Sequence, residues 1–208
     1  MGTVDPRDWV VLRQAFAEAT GWYRSVLEQV GDRWDEPGLG EWDVRALAGH
    51  TSRSLVTVES YLGRPADAAE LASPVAYYEA CRDIMAGPGV AQRGRDAGRA
   101  LGDDPVGAVA ELAGRVLPLV DGLTGEELLT SIAGGIRLAD YLPTRILELV
   151  VHTADLAVAL GVPSEPPALP AGVTLRLVGD LAVAGGHAGP LLLAATGRAG
   201  LPSGFTVL

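Results

Sequence analysis

The sequence contains no lysine and no asparagine, and all 16 of its basic residues are arginine. Without lysine, the chain has no side-chain amine for Schiff-base catalysis, for anchoring pyridoxal phosphate or for a P-loop. The arginines are outnumbered by 26 acidic residues, which leaves a formal net charge of −10. Nucleic-acid binding needs a concentrated basic surface, so we expect no nucleic-acid partner. The nearest basic cluster, Arg93, Arg95 and Arg99, lies among glycine and aspartate and predicts a solvated loop.

Cysteine and long apolar runs are also scarce. Cys81 is the single cysteine, so the chain cannot form an internal disulfide, which fits a reducing cytoplasm. We interpret Cys81 as a buried residue on the third predicted helix. No run approaches the roughly 20 apolar residues of a membrane span, and residues 1–8 lack the apolar core of a signal peptide. We therefore expect a cytoplasmic protein with no membrane partner.

The chain does contain enough apolar side chain to build a core, with 208 residues of which 48% are hydrophobic and 20% charged. Apolar periodicity together with start and stop signals predicts long helices over residues 8–30, 43–62, 74–85, 105–120 and 143–160. Shorter helices are predicted over 170–184 and 189–195, with a polar connection at 90–104, a turn at Gly134-Gly135 and a terminal strand at Phe205–Leu208. These elements predict a mainly α fold, a helical bundle with a short C-terminal extension.

Glu148 is the most unusual residue of the chain, because its neighbours Ile146, Leu147, Leu149 and Val150 are all apolar. A helix that is apolar almost all round is buried, and an ionised carboxylate there is costly unless it is paired or bound to a metal. His152 follows one helical turn later on the same face. The two side chains can therefore hold one metal ion, or they can form a buried hydrogen-bonded pair without one.

A third ligand has to come from one of the two other histidines. His50 lies on the flank of the second predicted helix, where it can face a neighbouring helix, whereas His187 lies in a predicted loop. We therefore choose His50, and in the alternative without a metal it is a surface residue. Two histidines and a carboxylate suit Zn²⁺, or Mn²⁺, Fe²⁺ or Ni²⁺, and leave a coordination position open.

Three stretches carry a resemblance to a known family. Residues 40–50, G-E-W-D-V-R-A-L-A-G-H, resemble a "G-W-x-V-R-x-L-x-x-H" signature, and residues 148–156, E-L-V-V-H-T-A-D-L, resemble "E-x-x-x-H-x-x-D-L". Thr196-Gly197-Arg198 resembles a "tGR" element near the chain end. In this order the stretches are similar to the mycothiol-dependent maleylpyruvate isomerase family, within the DinB-like four-helix superfamily. The resemblance implies a DinB-like four-helix bundle.

The resemblance also implies a zinc-type site made by His50, Glu148 and His152. The resemblance implies that the metal binds the sulfur of mycothiol, the low-molecular-weight thiol of actinobacteria, as a thiolate. The thiolate adds to an electrophilic substrate and gives a conjugate or a cis–trans isomer. The expected function is thus a metal-dependent, mycothiol-using S-transferase or isomerase, with no catalytic residue beyond the metal ligands.

Other side chains are assigned supporting roles. Asp155, one turn beyond His152, either orients that ligand or forms a structural ion pair. A guanidinium fork suits carboxylates, so substrate-binding candidates are Arg198, from the "tGR" resemblance, and three further arginines, Arg82, Arg137 and Arg145. Trp42 is expected to pack against the bundle rather than to line the pocket.

The chain departs from the characterised isomerases at its C-terminus, because only 45 residues follow Pro163, fewer than their separate C-terminal domain has. We therefore divide it into a metal-binding bundle, residues 1–163, and a short extension packed on it, residues 164–208. Two other functions stay open: a non-enzymatic metal-binding sensor or interaction protein, and a metal-dependent hydrolase, although no H-E-x-x-H or G-x-S-x-G signature is present. The electrophile and the choice between monomer and homodimer also stay open.

Overall fold

The computed structural model describes residues 8–85, 87 and 89–208. Its elements within these ranges are α1 (Trp9–Leu27), β1 (Pro37–Leu39), β2 (Trp42–Asp43), α2 (Val44–Leu62), α3 (Pro74–Met85), α4 (Val90–Ala100), α5 (Pro105–Asp121), β3 (Leu128–Ser131), β4 (Gly134–Arg137), α6 (Leu138–Leu160), α7 (Ala168–Ala184) and α8 (Ala188–Ala195). A short 3₁₀ turn, Arg33–Asp35, precedes β1. The predicted mainly α fold is confirmed.

Four long helices form the bundle, because α1 and α2 each pack against both α5 and α6. Helices α2 and α6 run antiparallel. Thr57, late in α2, accepts a hydrogen bond from Tyr141, early in α6, at 2.9 Å, whereas His50, in the first half of α2, faces Glu148, further along α6. The centre is filled by fully buried side chains, the largest of which are Tyr23, Tyr141, Phe16, Leu12, Leu27 and Leu47.

The start of α2 follows from local sequence chemistry. The Asp43 carboxylate accepts a hydrogen bond from the Ala46 backbone N–H at 2.7 Å, which satisfies one of the free donors of the first turn. Asp43 also belongs to the β1–β2 hairpin, in which it pairs with Pro37. The hairpin and the cap together fix where α2 begins and hence where its seventh residue, His50, lies.

The predicted polar connection at residues 90–104 is wrong, because residues 90–100 form α4, packed along α2. The glycines of this stretch favour a loop by their local preference. In the structure they instead allow α4 to approach α2 closely. A Cβ on Gly98 would lie 2.7 Å from the Arg45 carbonyl oxygen, and one on Gly49 of α2 would lie 2.1 Å from the Gly98 nitrogen. The arginines of the predicted solvated loop are therefore on a helix.

The start of α6 also differs from the prediction. The helix begins at Leu138, directly after β4, so Pro143 lies inside it rather than at its first position. Strands β3 and β4 form an antiparallel hairpin in which Gly134 and Gly135 belong to β4 instead of the turn. No residue with a side chain fits at position 135, because a Cβ on Gly135 would lie 2.1 Å from the Ala68 carbonyl oxygen.

The C-terminal segment begins after Gly161, whose φ of 66° ends α6 in a left-handed cap. Helix α7 packs on α1, α3 and α6, and α8 packs on α7. The predicted strand at Phe205–Leu208 is wrong, because these residues are irregular. The division of the chain at residue 163 stays a prediction. Among the described residues, no helix combines the length and apolarity needed to cross a membrane.

Candidate metal centre

His50, Glu148 and His152 converge where the middle of α2 packs against α6. Each offers one ligand atom, and the three atoms all lie within 4.8 Å of one another. Glu148 Oε2 is 3.3 Å from His152 Nε2 and 3.9 Å from His50 Nε2. The side chains are mostly buried but not sealed, with 20%, 15% and 18% of the His50, Glu148 and His152 surfaces exposed. The cluster therefore stays in contact with solvent.

Glu148 is held in its ionised form by its surroundings. Tyr78, on α3, donates a hydrogen bond to Glu148 Oε1 at 2.9 Å, which leaves Oε2 to face the two histidines. Burial by itself raises the pKa of this carboxyl group, but the hydrogen bond with His152, the charge of Arg145 and the Tyr78 hydroxyl lower it to about 2. Glu148 is thus a preoriented anion at neutral pH.

His152 is oriented from its other ring nitrogen. Its Nδ1 lies 3.0 Å from Asp155 Oδ2, and since a carboxylate only accepts, Nδ1 carries the proton and donates it. In the neutral ring Nε2 would then turn a lone pair toward Glu148 Oε2, an unfavourable contact between two acceptors. A positive charge between them removes the conflict, either a proton or a metal ion. In the metal-free protein burial lowers the pKa of His152, yet Asp155 and Glu148 together raise it to about 9.

The His50 ring is uncharged at neutral pH. Burial and the nearby charge of His152 lower its pKa to about 4. Its ring lies 4.5 Å from the Trp42 ring, centre to centre, and 4.7 Å from the His152 ring. Its Nδ1 is buried and has no hydrogen-bond partner among the described residues. A neutral imidazole whose Nε2 faces a carboxylate is the form that binds a metal.

The donor set fits a divalent ion of the zinc type. Ligand atoms that are each about 2.0–2.1 Å from a tetrahedral Zn²⁺ lie roughly 3.3–3.4 Å apart. The 3.3 Å between Glu148 Oε2 and His152 Nε2 agrees with this value. His50 Nε2, at 3.9 Å from the same oxygen, would have to approach it by about 0.5 Å. The ligand set of two imidazole nitrogens and one carboxylate suits zinc, manganese, iron or nickel. A second carboxylate, that of Asp155, orients one of the histidines, as is usual at such sites.

Trp42 packs against the bundle as predicted, and it also forms one side of the cluster. Its ring stacks on His50 and lies 6.4 Å from the His152 ring, edge to face. Its Nε1 donates to the Ala91 carbonyl at 2.9 Å. A Cβ on Gly94 would lie 2.4 Å from the Trp42 ring, so α4 holds this ring against the histidines.

The other predicted residues are dispersed. Arg145 lies on α6 one turn before Glu148, and its charge lowers the pKa of that carboxyl group. Arg82 is exposed on α3 and lines a cavity of about 230 Å³ together with Tyr78. Arg137 forms ion pairs with Asp140 and Glu126, and exposed Arg198 donates only to the backbone of Thr196 among the described residues.

Two further predictions concern residues outside the cluster. His187 lies between α7 and α8 against Phe205, away from the three ligands, as its placement in a loop predicts. Cys81 is 2% exposed on α3, which confirms its prediction as a buried residue. Tyr78 was missed by the sequence analysis. The sequence does contain an indication of this role, because Tyr78 lies in a helix with an apolar face, and a buried tyrosine hydroxyl needs a hydrogen-bond partner.

Comparison with known proteins gives one match. A family model described as "Mycothiol maleylpyruvate isomerase N-terminal domain" matches residues 9–157, from the start of α1 to the last turn of α6. The match includes both helices that carry the three candidate ligands. No curated protein and no solved structure matches the chain.

Proposed function

Because the chain belongs to the mycothiol maleylpyruvate isomerase N-terminal domain family, we propose that it is a metal-dependent S-transferase or isomerase. It uses mycothiol as the thiol and acts on a small electrophile. The single observation that carries the proposal is the convergence of His50, Glu148 and His152, with ligand atoms within 4.8 Å of one another. Zinc as the metal, the cytoplasmic location and the actinobacterial source remain predictions.

His50, Glu148 and His152 are the proposed metal ligands. A divalent ion held by these residues would lower the pKa of a bound thiol, so that a thiolate would be present at neutral pH. His50 contributes a neutral nitrogen and Glu148 a negative charge. Asp155 accepts a hydrogen bond from Nδ1 of His152, so Nε2 is the nitrogen that would give up its proton and bind the ion. Trp42 covers the outer face of His50 and limits the access of water.

The cysteine of this chain is poorly suited to act as the nucleophile at the site. Cys81, the single cysteine, is 2% exposed, and burial raises the pKa of its thiol. A buried thiol with a raised pKa is a poor nucleophile, because the thiolate is the reactive form. An external thiol supports the chemistry better, in agreement with the thiol in the family's name.

The first test is the metal content of the protein, purified without chelator or metal-binding tag. We expect about one equivalent of metal by plasma mass spectrometry, lost from the Glu148→Ala/His152→Ala variant. The matched control, Glu59→Ala/His187→Ala, removes the same residue types from positions outside the cluster and should keep the metal. Metal-free native protein, even after zinc or nickel is supplied, would contradict the proposal.

The second test is thiol transfer with mycothiol and chlorodinitrobenzene. In this reaction a carbon–sulfur bond forms while the carbon–chlorine bond breaks and chloride leaves. We expect acceleration by the metal-loaded native protein and none by the double variant. A protein that binds metal but neither binds mycothiol nor transfers it would favour the non-enzymatic alternative. Metal-stimulated hydrolysis of esters or amides without thiol would favour the hydrolase.

A further inference from the structure

The charge of the chain is unevenly divided along its length. Residues 164–208 contain four charged residues whose charges cancel: Glu165, Arg176, Asp180 and Arg198. The whole formal net charge of −10 therefore belongs to residues 1–163. Two copies of the chain repel each other where their acidic surfaces meet. The neutral C-terminal segment is the part through which two copies can approach without that repulsion.

The outward side of α7, within this neutral segment, is apolar. Leu175 is 69% exposed and Val183 is 70% exposed, on the side of the helix that faces away from its buried residues. Gly172 and Gly179 lie on the same side, and a Cβ on either would meet no atom within 4 Å among the described residues. A second helix would therefore be able to approach the α7 backbone closely here.

Helix α8 adds a second apolar surface beside α7. Its sequence, A-G-P-L-L-L-A-A, contains no charged residue. It packs on α7, yet none of its residues is buried by the part of the chain that the structure describes. A helix that is apolar all round is normally buried, so α8 indicates a surface that a partner covers. We call the exposed side of α7 and α8 the neutral face: Gly172, Leu175, Gly179, Val183, Leu192 and Leu193.

The two charged residues of α7 suit a two-fold arrangement. Arg176 and Asp180 are exposed and one turn apart, yet neither forms an ion pair within 4.0 Å among the described residues. Arginine before aspartate is the less favourable order for a pair within one helix. Contacts across a two-fold axis are reciprocal. If α7 packs antiparallel to its copy about an axis midway between these residues, Arg176 meets the partner's Asp180 twice.

We propose that the neutral face binds the same face of a second copy of this chain and forms a two-fold dimer with antiparallel α7 helices. A second copy is favoured as the occupant because the face complements itself: it is neutral, and it carries one cation and one anion that pair reciprocally. A basic partner would instead be attracted to the acidic surface of residues 1–163. None of the three candidate metal ligands belongs to the face, so this inference does not rest on the proposed function.

The size of the face determines how tight the dimer is. Stable interfaces take about 20–30 residues from each partner. The outward side of residues 168–195, from the start of α7 to the end of α8, is at the small end of this range. We therefore expect a dimer that dissociates reversibly on dilution rather than a permanent one.

Sedimentation equilibrium of the full chain, from about 1 to about 100 μM, tests the proposal. We expect the mass of one chain at the low end and that of two chains at the high end. Val183→Glu should raise the dissociation constant at least about tenfold, because it brings two like charges into the interface. The matched control is Val56→Glu, which adds the same charge at a valine of α2 that is 43% exposed outside the face. It should leave the dissociation constant unchanged.

The reciprocal pair is tested by exchanging its charges. Arg176→Asp and Asp180→Arg should each raise the dissociation constant about tenfold, because each places like charges opposite each other in both contacts. The double variant Arg176→Asp/Asp180→Arg should return to within about threefold of the native value, because both pairs form again with their signs reversed. The unfolding midpoint of each variant is measured to confirm that the fold is retained. Failure of the double variant to recover would overturn the antiparallel arrangement.

Three other results would overturn the proposal. The first is the mass of one chain at every concentration. The second is a dimer that Val183→Glu leaves unchanged, because the interface then lies elsewhere. The third is the mass of one chain together with binding to uncharged phosphatidylcholine vesicles, which would assign the neutral face to a lipid surface.

Discussion

Asp155 lies one helical turn beyond His152, and its Oδ2 is 3.0 Å from Nδ1 of that histidine. This contact fixes the tautomer of His152 and thus which nitrogen faces Glu148. The spacing alone is compatible with two roles for Asp155, orienting a ligand or forming a structural ion pair. The geometry fits the orienting role, and the following variant tests it.

Asp155→Ala should weaken metal binding by about 10- to 100-fold, because partners behind a ligating histidine typically contribute that much. A competitive titration against a chromophoric chelator measures the change. Asp140→Ala is the matched control: it removes an aspartate from the same helix that pairs with Arg137 instead of a candidate ligand. Equal affinities of the two variants would assign Asp155 to a structural ion pair.

Tyr78→Phe should weaken metal binding by about tenfold, because Glu148 Oε1 loses its donor and the carboxylate loses its fixed orientation. Tyr61→Phe removes a hydroxyl from the same bundle without touching Glu148, and should bind metal as the native protein does. The same titration serves for both variants. Unchanged affinity in Tyr78→Phe would mean that α3 does not hold the ligand in place.

Metal affinity should depend on pH through one proton. In the metal-free protein His152 has a pKa raised to about 9, whereas those of His50 and Glu148 are lowered to about 4 and about 2. Between about pH 6 and 8 only His152 carries a proton that the metal must displace, so affinity should rise about tenfold per pH unit and level off above pH 9. Calorimetry in buffers of different ionisation enthalpy measures the released proton, and release of none at pH 7 would contradict the assignment.

Gly98→Ala should destabilise the protein by about 1–3 kcal/mol, because its Cβ would lie 2.7 Å from the Arg45 carbonyl oxygen and force α4 away from α2. Gly114→Ala is the contrasting control. It lies inside α5 with no atom within 4 Å of an added Cβ, so it should stabilise the protein by about 0.5–1 kcal/mol. Urea unfolding measures both, and similar effects would mean that α4 is not closely packed.

The sequence alone identified the three candidate ligands and the presence of the two helices that carry them, but not the start of α6. The four-residue spacing alone places Glu148 and His152 on one helix face. A carboxylate among aliphatic side chains indicates a functional residue, because burying it without a partner is energetically unfavourable. The cap at Asp43 likewise predicted the start of α2. Neither observation required knowledge of how distant segments pack.

The failures of sequence analysis concern contacts between segments that are remote in the chain. Gly94 and Gly98 favour a loop locally, but in α4 they allow contact with Trp42 and with the α2 backbone, which offsets their poor helix propensity. Pro143 favours a helix start by its own preference, but α6 begins five residues earlier, at Leu138, directly after the β3–β4 hairpin. Tyr78 became recognisable as a partner of Glu148 only once α3 was placed beside α6.

The antiparallel contact of α2 with α6 joins residues that are 98 positions apart, His50 and Glu148. An ion bound there would act as a cross-link that closes a long loop, and the chain entropy removed from the unfolded state grows with the length of that loop. The ribosome completes Glu148 and His152 only after five of the helices have been made. Capture of the ion would therefore be a late event in synthesis, and the emerging chain would have to collapse without the help of a metal.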